Sequence, residues 1–271
     1  TPPSVLEDFF PATATARLVI ENNLVADKEI MSEAESKAVL SAYGIPTVET
    51  HIAKTPDDAF NISREMKFPL ALKILSEDIP HKSDIGGVVL FLDSPQVVKS
   101  AAESMLKNIL EKMPQARIQG FSVQEMAIRP GAHELLIGMT TDPIFGPVIM
   151  FGQGGTAVEV IDDSAVALPP LNMNLARELI SRTRISRLLK GYRDHKPVHM
   201  EALCTVLIKL SQLIVDIPEI AELDINPLFA DEHGVIAVDA RIRISTTHRA
   251  GNGGQRLAIR PYPKELEEIW L

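Results

Sequence analysis

The sequence predicts an α+β fold made of two subdomains, and three observations support that prediction. Strand-like and helix-like segments are mixed along the chain without the regular alternation of a doubly wound sheet. The 271 residues suffice for one large domain or two modest ones. The composition, 45% hydrophobic and 23% charged, is that of an ordinary globular protein.

The first elements can be placed from capping signals. Residues 1–30 are rich in proline, alanine and acidic groups, and we interpret them as a linker from a preceding domain that holds one short helix at most. Ser32 and Glu35 have the spacing of a capping box, which predicts a helix start. Gly44 predicts the end of that helix, and residues 45–53 are expected to form a strand.

The later elements follow from hydrophobic patterning and turn residues. Helices are predicted to begin at Pro56 and Pro95 and to cover about 173–184 and 200–215. Strands are predicted at 69–75, 86–93, 118–126, 134–139, 147–151, 220–226 and 234–242. The Gly-rich polar stretch that starts at 246 has the composition of a flexible linker.

We therefore expect four regions along the chain. Residues 1–30 are the linker, 31–125 form subdomain 1, and 126–245 form subdomain 2. Residues 246–271 are expected to be a second linker and the start of a following domain.

Composition excludes several classes of function. A formal net charge of -9 argues against non-specific binding to nucleic acid or to an anionic membrane. The sequence has no apolar run near the roughly 18 residues of a membrane span. Cys204 is the only cysteine, so an internal disulfide is impossible, and we expect a reducing, cytoplasmic setting.

Lys73 and two glycine pairs are candidates for binding an anion. Lys73 lies within an apolar strand, where its ammonium would either meet a phosphate or reach solvent from an edge strand. Gly86 and Gly87 follow it, and Gly154 and Gly155 end a second glycine-rich turn. Such turns point backbone N–H groups at anions, although a plain turn explains either pair alone. Neither pair fits the P-loop or the dinucleotide-binding pattern.

Acidic and amide side chains at two-residue spacing are candidates for a metal site. Glu222, Asp224 and Asn226 would share one face of a strand, and Asp239 lies in a later strand. Two aspartates and an asparagine offer the hard oxygen ligands that nucleotide-bound magnesium prefers. The alternative is a solvated polar face.

The residue pattern alone does not decide the roles of Glu125, Glu134 and His81. Glu125 ends one predicted strand and Glu134 begins the next, so they could hold ribose hydroxyls or be surface carboxylates. His81 precedes the Gly86-Gly87 pair. It is a solvated loop residue, a general base, or a nucleophile that accepts a phosphoryl group. The other histidines lack zinc-site spacing.

Taken together, these motifs resemble a known family. The segments ALKILSEDIPHKSDIGG, VQEMAIRPGAHELLIG, DPIFGPVIMFGQGGTAVEV and AELDINPL with VDARI are similar to the ATP-grasp domain of NDP-forming acyl-CoA synthetases. This domain is related to the β chain of succinyl-CoA synthetase. The resemblance covers residues 31–244 and keeps the family's motif order.

The resemblance implies an ATP-grasp fold, with ATP or ADP and Mg²⁺ held between two α+β subdomains that meet at a hinge near Glu125. It implies that His81 carries a phosphoryl group from or to a CoA-binding domain. It places Lys73 on the nucleotide phosphates, where the glycine turns were already candidates. Glu125 and Glu134 match residues around the nucleoside. Asn226 and Asp239 match the family's magnesium ligands, and the strand spacing adds Asp224 as a third candidate.

The flanks resemble a second family. ALPPLNMNLARELI and RLAIRPYPKELEEIW are similar to segments of Pat-type bacterial protein lysine acetyltransferases, in which a synthetase-like region precedes a GNAT domain. That resemblance implies partner CoA-binding and GNAT domains in one parent chain. It leaves a regulatory module that binds nucleotide or acyl-CoA without turnover as the alternative function. A carboxylate–amine ligase is a third reading, in which His81 has no task.

Overall fold

The computed structural model describes residues 9–76, 78–79, 82–155, 163–193, 196–246 and 257–258. These ranges form an α+β structure with two antiparallel sheets, which confirms the predicted fold class. The chain divides into two compact units. The small unit is Val48–Ile128, and the large unit combines the residues up to Thr47 with those from Arg129 onward. Within the described ranges, no helix is long and apolar enough to cross a membrane.

The elements are numbered along the chain. The helices are α1 (Thr13–Val25), α2 (Glu33–Ala42), α3 (Pro56–Ser63), α4 (Pro95–Lys112), α5 (Met173–Ser181), α6 (Ser186–Leu189) and α7 (Met200–Asp216), with a 3₁₀ turn at Ser83–Ile85. The strands are β1 (Thr50–Ala53), β2 (Leu70–Leu75), β3 (Val88–Leu92), β4 (Gly120–Glu125), β5 (His133–Asp142), β6 (Gly146–Gln153), β7 (Ser164–Ala167), β8 (Ile220–Asp231), β9 (Gly234–Ala237) and β10 (Ala240–Ile244).

The small unit is a sheet in the order β1-β4-β2-β3, covered by α3 and α4. Thr55 starts α3 by accepting the Asp58 N–H at 3.0 Å, and Pro56 fills the first helical position. Helix α4 buries Val98, Ala102, Met105 and Ile109, a spacing that keeps them on one face against the sheet. The result is a separate hydrophobic core for this unit.

The large unit is built on the sheet β10-β8-β5-β6-β7, with β9 paired to β8. Helix α7 buries nine of its residues, eight of which belong to the hydrophobic core of this unit, among them Leu203, Leu207 and Leu210. Strand β8 pairs with both β5 and β10, so it lies in the interior of the sheet. This position matters because β8 carries the candidate metal ligands.

The predicted linker at 1–30 is wrong for its second half. Helix α1 packs into the core of the large unit, where Ala16 and Ile20 are 0% and 1% exposed. Polar contacts also fix it: Arg17 donates to the Asp216 carbonyl oxygen, and the N–H of Ala12, at the start of the helix, donates to the Ala42 carbonyl at 2.8 Å. The alanine-rich composition that suggested a linker instead allows close helix packing.

The division at 125/126 also differs from the structure. Helix α2 was expected in subdomain 1, but it belongs to the large unit, where Met31 N–H donates to the Ile242 carbonyl on β10 at 3.0 Å. Sequence order therefore does not separate the units, because the large unit is formed from both ends of the chain. The second boundary, between Ile128 and Arg129, lies close to the expected hinge at Glu125.

Candidate functional site

In the small unit, the candidate phosphate-binding groups lie on β2 and the turn before β3. Lys73 is half-buried. It pairs with Ser122 on β4 and with Val88 on β3, so β2 is an interior strand. The edge-strand explanation for this lysine is therefore wrong. His81 lies outside the described residues.

The two glycines of that turn are needed for different reasons. Gly86 has φ +80° and closes the 3₁₀ turn, with open space where a side chain would project. Gly87 is packed tightly, because a Cβ there would lie 2.7 Å from Ile74 and 2.8 Å from the Lys82 carbonyl oxygen. Its own carbonyl accepts the Ile74 N–H at 2.8 Å. The turn is thus fixed to β2, one residue from Lys73.

Glu125 ends β4, as expected. Its carboxylate accepts the Lys67 N–H at 2.8 Å, and its N–H donates to the Glu49 carbonyl at 2.9 Å. Glu125 is half-buried and holds the segment before β2 in place. This contact uses Oε1 of the carboxylate.

In the large unit, the structure brings four predicted residues together at the end of β6. Gly154 N–H donates to the Glu134 carbonyl at 2.8 Å, and Gly155 N–H donates to Asn226 Oδ1 at 2.8 Å. Gly155 has φ +73°, and a Cβ there would lie 1.8 Å from Glu134 Oε2. The glycine-rich turn is therefore packed directly against one predicted nucleoside ligand and one predicted metal ligand.

Strand β8 presents its polar residues as its spacing predicts. Glu222 and Asp224 are exposed and Asn226 is half-buried, whereas Leu223 and Ile225 are buried on the other face. A bulge against β5 falls at Asn226, because Ile137 pairs with Ile225 but Leu135 pairs with Leu228. The bulge places Asn226 where the Gly155 N–H can reach it.

Asp239 joins this face from the segment just before β10. It is half-buried, and its Oδ1 accepts the N–H of Ala240 at 2.8 Å. The pKa of Asp224 is raised, first by desolvation and then by the negative charge of Asp239, while Arg241 opposes the shift. Asp224 is open to solvent on the sheet face, yet enough protein surrounds it for its ionised form to be disfavoured. The two aspartates are thus close enough for their charges to repel.

The arrangement fits Mg²⁺ bound together with a nucleotide. A divalent cation would relieve the repulsion between Asp224 and Asp239, and Asn226 adds a neutral oxygen. Among the described residues, no group of three or more His, Cys, Asp or Glu could hold a metal without other ligands. Two carboxylates and an amide match the needs of Mg²⁺ that takes its remaining ligands from phosphates and water.

Arg241 is a residue of this face that the sequence reasoning missed. It pairs in register with Asp224, and the next pair along the same strands is Arg243 with Glu222. The signal was present in the sequence, since Asp239, Arg241 and Arg243 repeat the two-residue spacing of one strand face.

Comparison with known proteins identifies the class. A family model described as an ATP-grasp domain matches residues 22–244. The chain belongs to this ATP-grasp family, and the fold prediction is confirmed at that level.

The similarity extends to one kind of enzyme subunit. The chain is 37% identical over 229 residues to the β subunit of ADP-forming acetate–CoA ligase I from Pyrococcus furiosus, covering 84% of this chain and 97% of that protein. It is 39% identical over 227 residues to ADP-forming acetate–CoA ligase I from Archaeoglobus fulgidus, covering 84% of this chain but only 33% of that longer protein. The chain is therefore an ATP-grasp domain homologous to the β subunit of ADP-forming acetyl-CoA synthetase.

A solved structure agrees with this relationship. Dinucleotide-forming acetyl-coenzyme A synthetase 1 from Ca. Korarchaeum cryptofilum matches with a TM-score of 0.75 and 36% identity, covering 85% of this chain and 100% of that chain. That protein was solved with coenzyme A and Mg-AMPPCP, with a phosphohistidine segment pointing towards the nucleotide-binding site.

Proposed function

We propose that this chain is the nucleotide-binding part of an ADP-forming acyl-CoA synthetase, which binds Mg-ATP or Mg-ADP and passes a phosphoryl group through His81. The observation that carries the proposal is the cluster at the end of β6. There the Gly154-Gly155 turn contacts both Glu134 and Asn226, on the sheet that also presents Asp224 and Asp239. The relatives named as ADP-forming ligases, and the relative that binds Mg-AMPPCP, support the same assignment.

The proposal gives the two units complementary tasks. In the small unit, Lys73 and the Gly86-Gly87 turn interact with phosphate oxygens, and Glu125 accepts hydrogen bonds from the nucleoside. In the large unit, Glu134 binds the nucleoside. Catalysis is mainly positioning and charge neutralisation, as is usual in phosphoryl transfer.

The metal-binding groups would be Asp224, Asn226 and Asp239. Bound Mg²⁺ would neutralise charge on the phosphates. Asn226 can serve while it accepts the Gly155 N–H, because an amide oxygen has two lone pairs.

The proposed chemical step transfers the γ-phosphoryl group of ATP to His81. The unprotonated ring nitrogen of His81 attacks the γ-phosphorus, a P–N bond forms, and the bond from phosphorus to the bridging oxygen breaks. ADP leaves with that electron pair, and the other ring nitrogen releases its proton. The reverse reaction regenerates ATP from ADP and phosphohistidine.

The test is labelling of the 271-residue chain with γ-³²P-ATP and Mg²⁺. We expect label that is stable in alkali, labile in acid and absent from His81→Ala. His51→Ala is the matched control, because His51 is exposed and its ring contacts Glu49 at 2.7 Å. Absence of label in the wild-type chain, or label that persists in His81→Ala, would overturn the proposed step.

We also propose a partner domain and a cytoplasmic location for this chain. The chain covers about a third of the Archaeoglobus relative, and we propose that a CoA-binding domain is its partner, as the relative solved with coenzyme A suggests. An origin in a Pat-type fusion with a GNAT domain rests only on the resemblance of the flanking segments, the second of which lies mostly outside the described residues. The relatives named above are CoA ligases and add no support for that origin. A cytoplasmic setting rests on cysteine usage alone.

A further inference from the structure

The face of the sheet that carries Asp224 also carries two arginines, and only one of them forms an ion pair with a described residue. Arg241 and Arg243 lie on β10 and pair in register with Asp224 and Glu222 on β8. Residues paired across antiparallel strands project to the same face with neighbouring Cβ atoms. Two acid–arginine pairs therefore lie side by side at the candidate metal site.

The side chains of one pair, Arg243 and Glu222, form an ion pair. Arg243 donates to Glu222 Oε1 at 2.6 Å, and this bond is the main reason why the pKa of Glu222 is lowered. Both side chains lie near the surface, so the pair is an ordinary exposed ion pair. Arg243 thus has a carboxylate partner and needs no ligand.

The side chains of the other pair, Arg241 and Asp224, form no hydrogen bond with each other. Arg241 is exposed, and within the described ranges no residue forms a hydrogen bond or an ion pair of 4.0 Å or less with its guanidinium. Among the residues that the structure describes, the guanidinium therefore has no direct partner, although it lies opposite Asp224, one of the carboxylates proposed to hold the metal.

We propose that Arg241 is a phosphate-binding residue, which contacts the terminal phosphoryl group of the nucleotide whose Mg²⁺ is held by Asp224, Asn226 and Asp239. A guanidinium offers several N–H donors in a planar fork that matches phosphate oxygens. The carboxylates of the site repel the polyphosphate of a nucleotide, and a cation on the same face reduces this repulsion. This inference rests on the proposed function and adds a residue to it.

The test compares nucleotides with and without the terminal phosphates, by calorimetry on the 271-residue chain at saturating Mg²⁺. Arg241→Gln should weaken Mg-AMPPCP binding by about tenfold or more, the effect of losing a charge-assisted hydrogen bond. AMP binding should be unchanged, because AMP lacks the phosphates in question. Arg241→Lys keeps the charge without the fork and should fall between wild type and Arg241→Gln. Arg243→Gln is the matched control and should bind both nucleotides as wild type does.

Three results would overturn the assignment. One is wild-type affinity for Mg-AMPPCP in Arg241→Gln. Another is an equal loss of AMP binding in that variant, which would mean that the sheet face itself was altered. The third is an equal loss in Arg243→Gln, which would indicate a general effect of surface charge. If the wild-type chain binds neither nucleotide, the proposed function fails, and the role of Arg241 fails with it.

Discussion

Replacing Gly155 by alanine should separate the stability of the large unit from its ability to bind nucleotide. Gly155 has φ +73°, and the new Cβ would lie 1.8 Å from Glu134 Oε2. Carbon and oxygen atoms approach to about 3.3 Å at closest, so this contact must open by about 1.5 Å. The carboxylate is the end of a flexible side chain and will move before the backbone does.

The two consequences differ in size. An L-residue in the left-handed region costs about 1–2 kcal/mol, so Gly155→Ala should lower the free energy of unfolding by that amount. Displacement of the Glu134 carboxylate adds little to this loss. It should instead remove a charge-assisted hydrogen bond to the nucleoside, about 1.5–3 kcal/mol or roughly a tenfold to hundredfold loss in affinity.

Urea denaturation and calorimetry with Mg-AMPPCP measure the two effects. Gly234→Ala is the control, because Gly234, the first residue of β9, has φ +137° and nothing within 4 Å of a new Cβ. It should lose about 1–3 kcal/mol of stability for its backbone conformation and still bind nucleotide as wild type does. Wild-type nucleotide affinity in Gly155→Ala would refute the role of Glu134. A loss of affinity in Gly234→Ala would show that binding merely follows stability.

Two further predictions test the fold and its response to pH. Ile20→Ala should lower the free energy of unfolding by about 2–5 kcal/mol, since Ile20 is 1% exposed in the core, whereas Leu18→Ala on the 59% exposed position of the same helix should change it little. An unaffected Ile20→Ala would restore the linker interpretation of α1. Bonds from Arg117 lower the pKa of Asp78 to about 2, so this pair stabilises the folded chain above the ordinary aspartate pKa and loses its effect as the pH falls through about 2. Denaturation curves should therefore show a gap between wild type and Asp78→Asn near neutral pH that closes on acidification, and a gap independent of pH would contradict the assignment.

Local signals in the sequence predicted the elements well. The capping box at Ser32 and the helix start at Pro56 are both present, because they depend only on residues within one helical turn. The assignment of residues to units was not predictable in this way. Helix α2 is joined to the large unit by the Met31 bond to β10, a contact between residues 211 positions apart in sequence.

The candidate site was partly predictable for the same physical reason. The alternation along β8 was enough to place Glu222, Asp224 and Asn226 on one face, because a strand has a strict two-residue period. The contact of Gly155 with Asn226 depends on the β8 bulge; Pro227 is a local signal for the bulge, but not for the residue that Asn226 then contacts. Arg241 was missed because its importance comes from the β8–β10 register, which is a property of two strands together.

The charge of the chain places a condition on how this site binds a nucleotide. A chain of net charge -9 that presents Asp224 and Asp239 on one face repels a free polyphosphate. The same carboxylates attract a nucleotide once a divalent cation lies between them and the phosphates. Arg241, on the same face, would reduce the repulsion but carries a single charge. If the two aspartates hold the metal as proposed, they should favour the metal-bound nucleotide over the free one.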